Sequence, residues 1–274
     1  MRLRVLSIIS FVTFVWTADA RAGSIVLNND FNGLNIHYAF DGTTYQPIAL
    51  GSVTMSDGTG LTPELNAPNV FESYCVDIIT DIFDAAVGLP EPPATYSADA
   101  ALMSTWSDPT GQPSPADGNL RAAYLYDKYA DTFAADNDVQ GRTALQLAVW
   151  EVLYETNSPV LSVSTTDTGK FHVSIEGLNP VTDAAQIASY EAIAARANLL
   201  LADVQTADVS TSQAAWLKLY VDAPDPNDPT KTIRLDAQDF IGPTSVPEPA
   251  SVLLLGVGMT SLAAFRSRKS LRRG

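Results

Sequence analysis

The sequence predicts an α+β domain, a β-sandwich or barrel-like sheet with a helical insertion, flanked by a processing segment at each end. Three observations lead there. Short β-rich runs separated by Asp-Gly and Gly-containing turns fill residues 23–78. Two helical patterns follow a Pro-rich irregular stretch, and the second is apolar on almost every side. Strands then return on both sides of one long helical pattern. Strands, helical insert, strands, helix, strands is an α+β order, not the alternation of a parallel α/β sheet. The chain has no internal repeat.

Residues 24–27 and 36–40 read as strands, with Asp41-Gly42 as the turn after them. Residues 47–55 form another apolar run, ended by Asp57-Gly58 and Gly60. The run Phe71-Glu72-Ser73-Tyr74-Cys75-Val76-Asp77-Ile78 is a strand that carries the one cysteine. Between Gly88 and Asn119, Pro90, Pro92, Pro93, Pro109, Pro113 and Pro115 forbid long regular elements. A short helix is expected over residues 97–106, capped by Ser97 or Asp99. Helices follow over residues 120–135 and 142–155, and Gln146 is the one uncharged polar side chain in the middle of the second. Strands are expected at 160–164 and 171–175, with Gly169 and Gly177 at turns. A helix over 183–206 comes next, then closing strands at 216–221 and 233–240 around a Pro-rich turn, 223–230.

Both ends carry addresses. Arg2 and Arg4 precede an apolar stretch over residues 5–16, and Ala20 and Ala22 supply the small residues of a cleavage site. Residues 1–22 are therefore a signal peptide, with cleavage before Gly23. At the other end, Val246-Pro247-Glu248-Pro249 precedes an apolar run over residues 250–265, then Arg266, Arg268, Lys269, Arg272 and Arg273. The run falls slightly short of the roughly 20 residues that cross a bilayer comfortably. The basic tip would stay cytoplasmic, with the body of the protein outside. This segment resembles the PEP-CTERM sorting signal of Gram-negative bacteria, with Pro247, Glu248 and Pro249 as its signature. The resemblance implies recognition by an exosortase-type membrane enzyme. It also implies anchoring in the inner membrane through the C-terminus before processing, then a place at the cell surface or in the extracellular matrix. The expected organisation is signal peptide 1–22, one α+β domain 23–245, and sorting segment 246–274.

Removing the two end segments takes away eight of the sixteen Lys and Arg residues but only two of the thirty-one acids, leaving a net charge of about −21. Such a body repels nucleic acid and anionic lipid, which argues against both as partners. One cysteine means no internal disulfide, so a lone thiol in an oxidising compartment suggests intermolecular pairing or a special chemical role, the alternative being a small buried hydrophobe.

That role has a candidate. Tyr74-Cys75-Val76 and Leu145-Gln146-Leu147-Ala148-Val149-Trp150 resemble the two signature segments of bacterial surface thioester domains. These are an aromatic- or Leu-Cys-aliphatic strand and a Thr-Gln-x-Ala-aliphatic-Trp helix. The resemblance implies that the Cys75 sulfur and the Gln146 side chain form an internal thioester. A surface amine or hydroxyl would then attack it and be joined covalently to Gln146, a single-turnover attachment and not enzymic turnover. No cofactor and no metal is implied. The chain departs from the family pattern at Leu145, where Thr is usual; Thr143 stands two places earlier. The alternative is a non-covalent structural or binding component of the exopolysaccharide matrix, with the same fold and no bond.

Other constellations are weaker. No protease signature surrounds Cys75 to pair it with His37 or His172, and no G-x-S-x-G elbow is present. Residues 136–141 resemble the first half of a calcium loop, but Leu147 stands where its bidentate glutamate belongs. A polar turn whose acids favour the following helix N-terminus is the better reading. Asp222, Asp225 and Asp228 suit a solvated turn.

Overall fold

Strand β1, Arg21–Phe40, is long enough to serve two layers. Ile25 and Leu27 face one core, and Ile36, Tyr38 and Phe40 face another. Side chains alternate along a strand, so odd positions cannot give way to even ones without a slip. The slip is there: the register against β2 (Thr43–Thr59) shifts between Leu27 and Phe31. The structure is a computed structural model that describes residues 21–40, 43–59, 70–78, 94–108, 115–156, 160–166, 169–225 and 228–244.

Antiparallel pairing runs from β1 to β2, then to β3 (Val70–Cys75), β7 (Asp228–Gly242), β6 (Ala215–Asp225) and β4 (Ala94–Leu102). β4 pairs back onto β1, so six strands close a barrel. A short strand, β5 (Phe171–Val173), extends the sheet on residues 38–40 of β1. Leu27, Met55, Tyr96, Leu217 and Phe240 help fill the barrel. Outside it, helices α1 (Gly118–Ala135), α2 (Val139–Tyr154) and α3 (Ala184–Thr206) pack on the ends of β1–β3 and on β5. Every side chain from Arg142 to Tyr154 is buried, as expected for a helix held between layers. The α+β class and the barrel-like sheet with a helical insertion are what the structure contains.

Several elements depart from expectation. Residues 24–27 and 36–40 are one continuous strand, not two. The helix expected over residues 97–106 is strand β4, followed by a single 3-10 turn, Met103–Thr105. Its Ala-rich sequence suits a helix in isolation, but β1 pairs with residues 94–100 and β6 with residues 97–102, and Tyr96 and Ala98 enter the barrel. Residues 160–164 form no strand. Side chains take their backbone groups instead: Ser162 N–H donates to Glu151 Oε1 (2.7 Å) and Val163 N–H to Asn198 Oδ1 (2.7 Å). β1 begins at Arg21, so cleavage before Gly23 would shorten it by two residues. Residues 1–20, the Asp41-Gly42 turn and residues 245–274 lie outside the described residues.

Gly33 and Gly51 face each other across β1 and β2. A Cβ on Gly33 would sit 1.7 Å from the carbonyl oxygen of Leu50, and one on Gly51 would sit 2.3 Å from that of Asn32. Gly51 also has φ +154°, which L-residues rarely adopt. Gly33→Ala is expected to cost about 3 kcal/mol or more, since backbone must move to admit the methyl. Urea denaturation of the two proteins measures this.

Candidate functional site

Backbone accounting along β3 locates the site. β2 supplies partners for β3 from Val70 to Ser73, where Val53 faces Ser73. Beyond Ser73 the described ladder continues on the other side only. Tyr74 faces Ile241, Cys75 faces Phe240, and Val76 N–H donates to the Asp239 carbonyl (3.0 Å). The N–H and C=O of Cys75 point the opposite way, toward the place β2 has left. Gln146 occupies it. Cys75 N–H donates to Gln146 Oε1 at 2.9 Å, and Gln146 Nε2 donates to the Cys75 carbonyl at 2.7 Å. The carboxamide therefore pairs with both backbone groups of the cysteine, as a neighbouring strand would.

The rest of α2 works in the same manner. Tyr154 Oη donates to the Val76 carbonyl (2.8 Å) and accepts from Ile78 N–H (3.4 Å). Thr143 Oγ1 donates to the Leu50 carbonyl (3.0 Å) and accepts from Leu34 N–H (3.1 Å), bridging β1 and β2 beside the two glycines. Arg142 and Glu72 form a bidentate ion pair, with Nε to Oε2 at 2.8 Å and Nη2 to Oε1 at 2.5 Å. From Arg142 to Tyr154 a helix rises about 18 Å, and from Glu72 to Ile78 an extended chain covers about 20 Å. The helix thus lies alongside the strand, and successive polar side chains meet successive backbone groups.

Local sequence explains why α2 forms there. Ala144, Leu145, Leu147 and Ala148 favour helix and lack polar groups that compete for the backbone. Asp138 caps the N-terminus, its Oδ1 accepting from Gly141 N–H at 2.9 Å, and Arg196 of α3 donates to both of its carboxylate oxygens. Residues 136–138 are therefore the polar turn between α1 and α2, with Asn137 at φ +51°, and residues 139–141 are the first turn of α2.

Cys75 is partly exposed and packs against both cores, whereas Gln146 is 1% exposed. Burial first, then the charge of Asp77, pushes the Cys75 thiol well above its ordinary range. The sulfur is therefore a protonated thiol at neutral pH, and its attack on a carbonyl must be coupled to proton transfer. The Cys75 N–H at Gln146 Oε1 would stabilise charge on that oxygen were the carbonyl to be attacked.

The two sequence-predicted site residues are thus brought together. His37 and His172 lie where β1 meets β5, and no described hydrogen bond links either to Cys75. Sequence reasoning missed Glu72, Arg142, Thr143 and Tyr154. Charges at Glu72 and Arg142, inside otherwise apolar segments, were the available signal.

A buried carboxylic acid stands next to this seam. Asp239 is 2% exposed and accepts from Trp106 Nε1 at 3.2 Å. Burial pushes its pKa up to about 6; the Trp106 hydrogen bond opposes the rise and the nearby charge of Asp77 adds to it. A folded pKa above the unfolded one means that stability is greatest below the unfolded pKa and falls as pH rises through the window from about 4 to 6. Asp239→Asn keeps an acceptor for Trp106 and removes this loss. The variant should exceed the parent by ~2–3 kcal/mol at pH 7, and the gain should vanish below pH ~4. Urea midpoints across pH measure it.

Comparison with known families matches residues 245–269 to the PEP-CTERM protein-sorting motif. The motif contains Pro247, Glu248 and Pro249 and marks an exported protein handled by an exosortase-type sorting enzyme. No curated protein and no solved structure matches the chain. Among the described residues no helix is long and apolar enough to cross a membrane. The apolar run predicted to be transmembrane lies outside them.

Proposed function

We propose that this exported protein attaches covalently to a partner surface through an internal thioester between Cys75 and Gln146. One observation carries the proposal: the Gln146 carboxamide is bonded to both backbone groups of the cysteine that would attack it. In the forming step the Cys75 sulfur adds to Gln146 Cδ, the C–N bond breaks, and the thiol proton leaves with the nitrogen as ammonia. In the second step a nucleophile adds to the same carbon, and sulfur departs and regains a proton. Atoms and charges balance without a cofactor. The apolar setting of α2 protects the acyl group from water between the steps.

The same hydrogen bonds favour an amine as the target. Loss of ammonia removes the donor to the Cys75 carbonyl. An attacking primary amine, and the amide it forms, bring an N–H back to that position, whereas an ester brings none. An unpaired buried acceptor costs about 1–3 kcal/mol, which favours amide over ester products by roughly one to two orders of magnitude.

A second reading has an observation of its own. A carboxamide that completes a strand edge has a structural use without any chemistry. On that reading the protein is a non-covalent component of the exopolysaccharide matrix with the same fold.

Intact mass of the secreted protein separates the two. The covalent reading expects a deficit of one ammonia, lost in Cys75→Ala and in Gln146→Ala, and methylamine uptake at Gln146. Full mass with a freely titrating thiol leaves the structural reading.

A further inference from the structure

We infer that the Arg142–Glu72 ion pair is the positioning element that sets Gln146 against Cys75; the inference rests on the covalent reading above. Gln146 reaches its target through a flexible side chain, which alone cannot hold a carbonyl carbon at attacking distance. A slip of β3 by one residue against α2 would carry Cys75 about 3.3 Å away. Something rigid must fix the register of the two elements. Arg142 lies one helical turn before Gln146 and so on the same face. Glu72 lies three residues before Cys75 on the strand.

The pair is built for one geometry. The Arg142 side chain is 5% exposed and that of Glu72 is 14% exposed, and the fork engages both carboxylate oxygens. The guanidinium is itself held: Nη1 donates to Asn137 Oδ1 (3.0 Å) and Nη2 to the Ala134 carbonyl (3.3 Å). Tyr126 Oη donates to the Glu72 carbonyl (2.7 Å), which ties the strand to α1 as well. Strand, helix and the preceding turn thus meet at one planar group. Lysine would keep the charge and lose the fork. Buried ionic pairs are best attested where they select a register and not where they add stability.

Ammonia can reopen the thioester to glutamine, which allows the forming step to be timed. The secreted protein is treated with ammonia and desalted, and the return of the mass deficit is followed. Glu72→Gln and Arg142→Lys are expected to re-form the bond on the order of 10- to 100-fold more slowly than the parent, the scale of a misplacement of about 1 Å. Leu201→Ala, a core truncation in α3, serves as the control for stability and is expected to keep the parental rate despite a lower Tm. Asn137→Gly frees one side of the guanidinium while tolerating the turn's positive φ, so it tests the idea even if the ion-pair variants do not fold; a slowing of a few fold is expected. A parent protein without the deficit overturns the covalent reading and this inference with it. A parent with the deficit, and variants that re-form it at the parental rate or only in proportion to their loss of Tm, overturns the inference alone.

Discussion

A backbone amide and carbonyl taken out of water must be paired, and along β3 this rule governs the whole molecule. β2 leaves β3 after Ser73, which exposes the edge at Cys75 and beyond. No strand returns to cover that edge among the described residues. The chain covers it with α2, whose side chains at positions 143, 146 and 154 hydrogen-bond to Leu34, Leu50, Cys75, Val76 and Ile78. The helix must be buried for this purpose, and burial in turn demands its apolar remainder. The barrel on one side and the helical layer on the other both grow from the same seam.

This dependence makes the cysteine and glutamine hard to separate from the fold. A carboxamide in an exposed cleft could be replaced freely; here its two polar atoms complete a β-ladder. Any chemistry at Gln146 would therefore change the hydrogen bonding of the seam itself. Losing the amide nitrogen would remove one of its bonds, and gaining an amine-derived nitrogen would restore it. On the covalent reading proposed above, reactivity and local stability would be tied through one atom.

Much of this was legible in the sequence, and what was not has identifiable causes. The apolar-all-round helix containing Gln146 and the aromatic-rich strand containing Cys75 stood out because each pattern is local. Residues 97–106 misled because helix propensity is local too, whereas the ladders that make β4 a strand come from β1 and β6, distant in sequence. The irregular course of residues 160–164 depends on Asn198 and Glu151, which no periodicity connects to it. The nearness of Cys75 to Gln146 was expected from a resemblance of short motifs, but the manner of the contact, backbone to carboxamide, depends on where β2 leaves β3, past the Val53–Ser73 pair. That divergence is a property of the closed barrel and leaves no pattern within either segment.

The course of β7 bears on what happens when the protein is pulled. Its last strand residue, Gly242, stands three positions before the matched sorting motif, and the preceding Ile241 and Phe240 face Tyr74 and Cys75. If the molecule were held at Gln146, tension applied from the tail would reach β3 from β7 through these two facing pairs and the Val76–Asp239 hydrogen bond. Because β3 and β7 are antiparallel, such a pull would draw them past each other along their length, and these contacts would resist together.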